Sequence, residues 1–561
     1  MRICLCGTLN LSGWHDQERH LTDINAPLGL LSLAAVLEHA GYQVAFIDWN
    51  HEVSSGRLVL DDDFYQAAAR RIAGESPDLV GFSTMCNSYH ITLRMAEAWK
   101  RLHPRVPVIL GGPQASVADT GTLAAFPFVD FILRGEAERT FPRFLAEWTA
   151  GARDFATQGL TYRQAGEIAR NADAELLPDL DDLPFPSYEL LPFSPATSAV
   201  IDAGRGCPYE CTFCSTSTFW KRRFRLKSID RILLEMKMLR DRYGAKDFSF
   251  QHDLFTLNQR RVEEFCERLI AEEWKPCWAC SARVDCVTPQ LLKRMGETGC
   301  RDIFFGVETG SCRMQKEIRK RLKLEQVWTA VDAALSSGII PTVSFIAGYP
   351  AETEDDLRQT MEMIEGLLTR PKVHVQAHLL GPQLGTRDYA QYGARLRFDG
   401  YYSDIAGTAY RLLEPSWFQA FPELFSSFHY YEPLSLSREL LKGLDLFVHG
   451  PCAVLRKAVL EIARARGGLW QVYREWRAWS TPRGFGQGPL GGQRIDEFLM
   501  DFYSFIEEMA THSEGIHTDE ARDEILAFYL RHYNATPVRV VPVRVVPATG
   551  EAAALAASGA D

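Results

Sequence analysis

The chain has 561 residues, with 61 basic and 72 acidic side chains, a formal net charge of −11 and 46% hydrophobic residues. This is the composition of a folded multidomain protein, and the acid excess excludes a nucleic-acid partner held by a general basic surface. No apolar run reaches the roughly 18 residues of a membrane span, and thirteen cysteines behind an N-terminus that runs straight into a strand pattern point to a reducing, cytoplasmic setting.

Residues 1–150 alternate strand and helix. Strand patterns cover Arg2–Cys6, Gln43–Trp49, Leu79–Ser83, Val106–Leu110 and Phe128–Leu133, with helical patterns at Leu28–His39, Phe64–Ala73, Ile91–Arg101 and Phe141–Thr149. Short apolar strands alternating with helices predict a doubly wound, Rossmann-like parallel sheet. Ligands on such sheets bind at the C-terminal strand ends, and glycines gather there: Gly7, Gly111-Gly112 and Gly135, the last followed by Glu136. Glycine lets the backbone turn tightly or approach a ligand closely. Residues 151–196 read as a linker, with a possible hairpin at Gly159–Arg163 and Glu167–Arg170 and a proline-punctuated run at Pro178–Tyr188.

Cys207, Cys211 and Cys214 stand at i, i+4 and i+7 in a Gly-Arg-Gly-Cys-Pro turn, just after the apolar run 198–201. Three thiolates hold three irons of a four-iron cube and leave the fourth iron open, whereas four-cysteine ferredoxin runs close the coordination. The spacing is wrong for structural zinc, which favours paired C-x2-4-C ligands and a fourth protein ligand.

From 197 to 390 the alternation resumes. Strand patterns lie at Ser198–Ala203, Phe248–Gln251, Trp278–Ala282, Asp302–Val307, Pro341–Ala347 and Val373–Leu379, each followed by a helical pattern or a loop. Six strands predict a partial (β/α)6 barrel, with its chemistry in the loops after the strands. Those loops carry His252 and Asp253, Ser281 and Arg283, Glu308, Thr309 and Ser311, and Gly348. Ser311 and Thr353 also sit where helix N-caps are expected. Cys277 and Cys280 resemble a redox pair, but inside a strand three residues apart they face opposite sides and read as packing residues.

Residues 391–535 lose the alternation and are mostly helical, with the best periods at Ser435–Val448, Val454–Arg466 and Ile495–Met509. Their dense aromatics, from Tyr401 to Trp479, read as core, with a lid over a substrate pocket as the alternative. Residues 536–561, duplicated Pro-Val-Arg-Val-Val and an Ala/Gly tail, read as disordered.

The cysteine spacing, with Phe213 before the third cysteine, resembles the radical S-adenosylmethionine enzymes. That resemblance implies a [4Fe-4S] cluster whose open iron chelates S-adenosylmethionine, cleavage to methionine and a 5'-deoxyadenosyl radical, and an external one-electron reductant of the flavodoxin or ferredoxin type. It places Phe213, His252, Asp253, Ser281, Arg283, Glu308, Thr309, Ser311 and Gly348 around S-adenosylmethionine. The elements 27–37, 81–84, 110–114 and 134–138 resemble the cobalamin-binding domain that precedes the radical domain in one large subfamily. They place Gly29, Thr84, Met85, Gly111, Gly112, Gly135 and Glu136 around cobalamin. Gln114 stands where these proteins often carry His, and no Asp-x-His-x-x-Gly occurs, so no protein His is offered beneath cobalt.

Together these readings imply a cobalamin-dependent radical methyltransferase acting on an unactivated carbon of a metabolite or peptide, of the kind met in natural-product biosynthesis. One alternative is a cyclase, rearrangement or oxidation enzyme with the same cofactors. Another is a non-enzymatic cobalamin or iron–sulfur sensor, against which stand the open iron and the lack of an output module. The sequence assigns no catalytic side chain, no nucleic-acid partner and no membrane partner.

Overall fold

The computed structural model describes residues 1–12, 21–22, 27–191, 198–403, 406, 412–484, 495–511 and 518–533. The C-terminal tail 536–561, the end of the 151–196 linker and most of the glycine-rich run after Arg483 lie outside them.

The first sheet has seven strands: β1 (Arg2–Cys6), β2 (Gln43–Ile47), β3 (Leu79–Ser83), β4 (Val108–Gly111), β5 (Phe131–Leu133), β6 (Leu160–Gln164) and β7 (Glu167–Arg170). Their order is β2-β1-β3-β4-β5-β6-β7. The first five are parallel. β1 is apolar on both faces (Ile3 and Leu5 on one, Cys4 and Cys6 on the other), as expected of a strand covered by helices on both sides. The hairpin β6–β7 was expected within the linker. It instead pairs antiparallel along β5 and extends the sheet beyond residue 150.

The second sheet is parallel throughout and follows the chain: β8 (Ala199–Asp202), β9 (Asp247–Gln251), β10 (Cys277–Ala282), β11 (Cys300–Glu308), β12 (Ile340–Ala347) and β13 (His374–Leu379). This is the six-stranded partial barrel. Side-chain caps start its helices: Ser228 accepts from the Arg231 N–H, Thr288 from Leu291, and Thr353 forms a reciprocal capping box with Asp356. Cys280 is buried beside Cys300, whereas Cys277 faces outward near Arg301, the opposite-face packing expected of a strand.

The C-terminal region joins both sheets. Phe447, Tyr473, Trp476 and Phe502 share one core with the barrel. Tyr402, Phe418, Phe425 and Phe428 share another with Tyr89, Trp99 and Leu110 of the first domain. The Arg94 guanidinium grips Glu414 with two 2.7 Å hydrogen bonds and lies 3.8 Å over the Trp417 ring. The single helix expected over Ser435–Val448 is two, Arg438–Leu441 and Leu444–His449. Gly443 adopts φ +85 between them, and its N–H donates to the Tyr401 hydroxyl, which donates to Asp445. A local tertiary partner thus breaks a continuous helical pattern. The helix Leu469–Ser480 was not singled out from sequence.

Candidate active site

The C-terminal ends of both sheets open into one cavity of about 670 Å³. From the first sheet it is lined by Gly29, Gly111, Gly112, Gly135 and Glu136. From the second it is lined by Asp202, Gly206, Thr216, His252, Asp253 and Ser281. An added Cβ would meet nothing within 4 Å at Gly29 or Gly135. These positions are bare, so the first domain offers a smooth backbone wall there. Gly112, at φ +93, is tighter: a Cβ would stand 2.8 Å from the Thr84 carbonyl oxygen. Only glycine permits that turn.

Two expectations for the first domain, Thr84 and Met85, need correction. Thr84 is fully buried, donates to the Gly111 carbonyl and accepts from the Ala115 N–H, so it braces the glycine turn rather than lining the cavity. Met85 is exposed and does not line the cavity either. Its loop runs beneath the C-terminal region, where the Ser427 hydroxyl donates to the Cys86 carbonyl. Glu136 reaches the cavity wall with its carboxylate already committed. It pairs with Arg205 at 2.8 Å and Arg225 at 2.6 Å, and accepts from the Leu177 N–H. Arg205 also pairs with Glu138 and Asp202, so it is the hub of a buried network that ties the first domain to the cysteine loop. Its place in Gly204-Arg205-Gly206, just before the first cysteine, was the visible signal. Gln114 turns away and donates to the Leu424 carbonyl.

Cys207, Cys211 and Cys214 lie together on one half-buried loop, close enough for their charges to interact. Burial pushes all three thiols up, Cys207 to about 11. Lys320 and Arg283 favour the thiolate at Cys211, and hydrogen bonds from Thr216 and Ser217 do so at Cys214. Among the described residues, no three His, Cys, Asp or Glu converge tightly enough for a single metal ion. A four-iron cube takes one thiolate per iron, so three thiols on one loop match a cluster with three ligated irons.

The remaining rim residues fall into two sets. His252, Asp253 and Ser281 face the cavity. Burial pushes the His252 imidazole down to about 4, and its Nδ1 is buried with no protein partner, while Nε2 lies 3.2 Å from the Gly206 carbonyl. A buried polar atom without a partner at a cavity wall fits a ligand contact. The second set surrounds Cys211. Arg283 grips Asp285 with two 2.9 Å bonds, donates to the Lys320 carbonyl and lies 3.7 Å over the Tyr209 ring. Lys320 pairs with Glu308 at 2.7 Å. Glu308 closes β11 at φ +72, where the register to β12 shifts. This left-handed bulge re-aims its side chain, and a Cβ at Gly306 would fall 2.4 Å from its carboxylate. Gly348 turns at φ +92 and donates to the buried Glu352. Phe213 packs edge-on against Tyr349 at 5.7 Å, outside the cavity.

Thr309 and Ser311 are not brought to either set. Both are fully buried; Thr309 contacts Thr360, while Ser311 caps the next helix at Met314 and donates to Asp356. The helix-cap alternative applies to Ser311, and Thr309 braces the same turn.

Two family models match in the places this geometry marks: "B12 binding domain" over residues 20–145 and "Radical SAM superfamily" over residues 201–364. An uncharacterised methyltransferase of Pyrococcus horikoshii is 30% identical over 346 residues, covering 61% of this chain and 73% of the relative. The chain belongs to the cobalamin-binding branch of the radical SAM superfamily. It is therefore a radical SAM enzyme, and its family's cofactors are a [4Fe-4S] cluster, S-adenosylmethionine and cobalamin. The cytidylyl-2-hydroxyethylphosphonate methyltransferase of Streptomyces wedmorensis is 29% identical, covering 58% of this chain and 69% of that protein. An anaerobic magnesium-protoporphyrin IX monomethyl ester cyclase of Rubrivivax gelatinosus is 25% identical, covering 60% of this chain and 61% of that protein. The radical SAM methyltransferase TsrM of Kitasatospora setae shares the fold at TM-score 0.58 and 16% identity, covering 82% of this chain and 88% of that one. The cobalamin-dependent radical enzyme OxsB does so at 0.60 and 14%, covering 94% and 79%. Among the described residues, no helix is long and apolar enough to cross a membrane.

Proposed function

We propose that this radical SAM enzyme is a methyltransferase that methylates an unactivated carbon of a small metabolite or peptide. One observation carries the reading: the bare glycine wall of the first domain and the cysteine-loop rim of the second line the same cavity. A methyl source and a radical source thus face one space. Two methyltransferases among the relatives support it.

When bound, a cluster would supply one electron for cleaving S-adenosylmethionine, and a corrinoid a methyl group. Cys207, Cys211 and Cys214 would each hold one iron of the cluster. The Glu308–Lys320 pair and Arg283, beside Cys211, orient the charged methionine end of S-adenosylmethionine. His252 donates or accepts through its unpartnered Nδ1, and Asp253 and Ser281 line the same wall. Gly29, Gly111, Gly112 and Gly135 admit the flat corrin ring, and Phe213 and Tyr349 pack behind the loop. Arg205 and Glu136 fix the two domains so that these walls face each other. A reducing cytoplasm and a one-electron protein reductant suit this chemistry.

Incubation of reduced, cobalamin-loaded enzyme with methyl-labelled S-adenosylmethionine tests the proposal. Label should enter the corrinoid fraction, and with substrate both S-adenosylhomocysteine and 5'-deoxyadenosine should accumulate. 5'-Deoxyadenosine without label in corrinoid or product would favour a second reading, ring closure without methyl transfer, which the likeness to the cyclase supports.

A further inference from the structure

The cysteine loop has two faces. One looks into the large cavity through Gly206 and Thr216, beside Asp253 at the next strand end. The other reaches the surface through a separate hollow of about 310 Å³, lined by Glu210, Cys211, Ser217, Thr218, Lys221, Arg222 and Arg387. Glu210 is the residue between Tyr209 and Cys211. Four guanidiniums surround its carboxylate: Arg387 at 3.2 Å, Arg319 at 3.5 Å, Arg321 at 3.6 Å and Arg222 at 3.7 Å. Their side chains are half exposed, Arg321 most at 65%. Lys221 adds a fifth cation, in loose contact with Asp173 at 3.9 Å. Four arginines against one glutamate leave a strongly positive patch on a chain of net charge −11.

The backbone carries this patch at a cost. Among the described residues, eight that are not glycine have φ in the left-handed region, and four of them are Lys221, Arg222, Arg319 and Arg321. Each pair follows a short helix, Ser215–Phe219 or Cys312–Glu317. Basic residues at helix ends suit the terminal carbonyls, so capping alone explains some cations here. Capping at a left-handed position is met more cheaply by glycine, however. Non-glycine residues persist in that region where the surroundings over-determine them, typically at functional sites. Here the result is that Arg319 and Arg321 turn outward while Lys320 between them turns inward to Glu308. The patch is also anchored to the cysteine loop. The Thr212 N–H donates to the Ile318 carbonyl, and the Thr212 carbonyl accepts from the Asp388 N–H. The segments that carry Arg319, Arg321 and Arg387 are therefore tied to the residue between Cys211 and Phe213.

We infer that this patch is the docking surface for a small acidic one-electron carrier protein, which reduces the cluster through the Cys211 face. The carrier gives up one electron and is oxidised by one; the cluster gains it, and no bond is made or broken in the transfer. Transient redox encounters bury little area and depend on charge complementarity. Entry from this side leaves the large cavity free for the substrate and both cofactors. The inference rests on the cluster and not on methyl transfer.

The test is stopped-flow reduction of the cluster-loaded enzyme, without substrate or corrinoid, by a reduced acidic flavodoxin and by reduced methyl viologen. The variant Arg222→Glu/Arg319→Glu/Arg321→Glu/Arg387→Glu should lose about tenfold or more in flavodoxin rate at low salt and keep its viologen rate. The wild-type flavodoxin rate should fall as salt screens the patch. Should the quadruple variant lose iron, Arg321→Glu and Arg321→Lys decide: the first should slow flavodoxin and the second should not. An unchanged flavodoxin rate, a salt-independent wild type, or equal losses with both reductants would overturn the inference. Failure of methyl labelling would leave it standing, because cluster reduction is read directly.

Discussion

The two sheets solve the same placement problem with opposite materials. Both present the C-terminal ends of parallel strands to one cavity. The first does so with glycines: Gly29, Gly111, Gly112 and Gly135 remove side chains from the wall. The second does so with an imidazole, carboxylates and hydroxyls, His252, Asp202, Asp253, Thr216 and Ser281, and behind them stands the thiol loop with its charged neighbours, where Lys320 holds Glu308 and Asp285 holds Arg283. A large preformed cofactor brings its own reactivity and asks for shape. A cluster that must be ligated, charged and placed beside a zwitterion asks for donors and charges.

The largest expected effect falls on the second sheet alone. Cys211→Ala should drop iron well below the about four per chain of a full cluster and abolish activity. Corrinoid binding should persist, and its loss in that variant would break the separation drawn here. Next is the joint between the regions. Arg205→Ala leaves the buried Glu138 without its cation and Glu136 with Arg225 alone, at roughly 3–5 kcal/mol. Calorimetry should show the main transition moved down and split; a single unshifted transition would remove Arg205 from that role.

Glu308→Gln should weaken S-adenosylmethionine binding about tenfold, in the range of a lost charge-assisted contact. Iron content should stay unchanged, and equal binding by variant and wild type in equilibrium dialysis would count against the assignment. Gly29→Leu sharpens the other side of the comparison. The site has no left-handed strain and open space beyond it, so the helix should gain about 1 kcal/mol while the side chain fills the corrin wall. The expected result is a higher melting temperature together with weaker cobalamin binding. Stabilisation with full cobalamin affinity would show that Gly29 does not face the ring.

A further effect, outside the cavity, is acid sensitivity between the first domain and the C-terminal region. His90 is fully buried, edge-on to the Phe418 and Phe428 rings, and both ring nitrogens lack partners. Burial pushes its imidazole down to about 3. The unfolded chain takes up the proton near pH 6.5 and the folded chain does not, so stability is full above that pH. It should decline as pH falls from about 6.5 towards 3, by at most about 1.4 kcal/mol per pH unit. His252, pushed down to about 4, adds in the same direction. Denaturant titrations of wild type and His90→Phe at pH 7 and pH 5 should show a smaller loss in the variant.

Local pattern carried most of the fold. The helices Leu28–His39 and Phe64–Ala73 begin and end where their periodicity does. The role of Glu136 is not legible in the sequence: a Gly-Glu step at a strand end has the same local form whether its carboxylate meets a ligand or an arginine 69 residues away. The surroundings of Met85 are hidden for the same kind of reason, because the cover over its loop comes from Ser427, 341 residues beyond Cys86.

The sequence by itself determined what is decided within a few residues: the strand and helix order, the three-thiolate loop and the turns that need glycine. Periodicity, ligand spacing and φ are local properties and survive without the rest of the chain. The tertiary structure alone decided which rim residues face the cavity, which brace the turns behind it, and how Arg205 joins the two sheets. Those outcomes depend on register, burial and partners that sequence separation hides, because a polar side chain settles its role only once its neighbours are fixed.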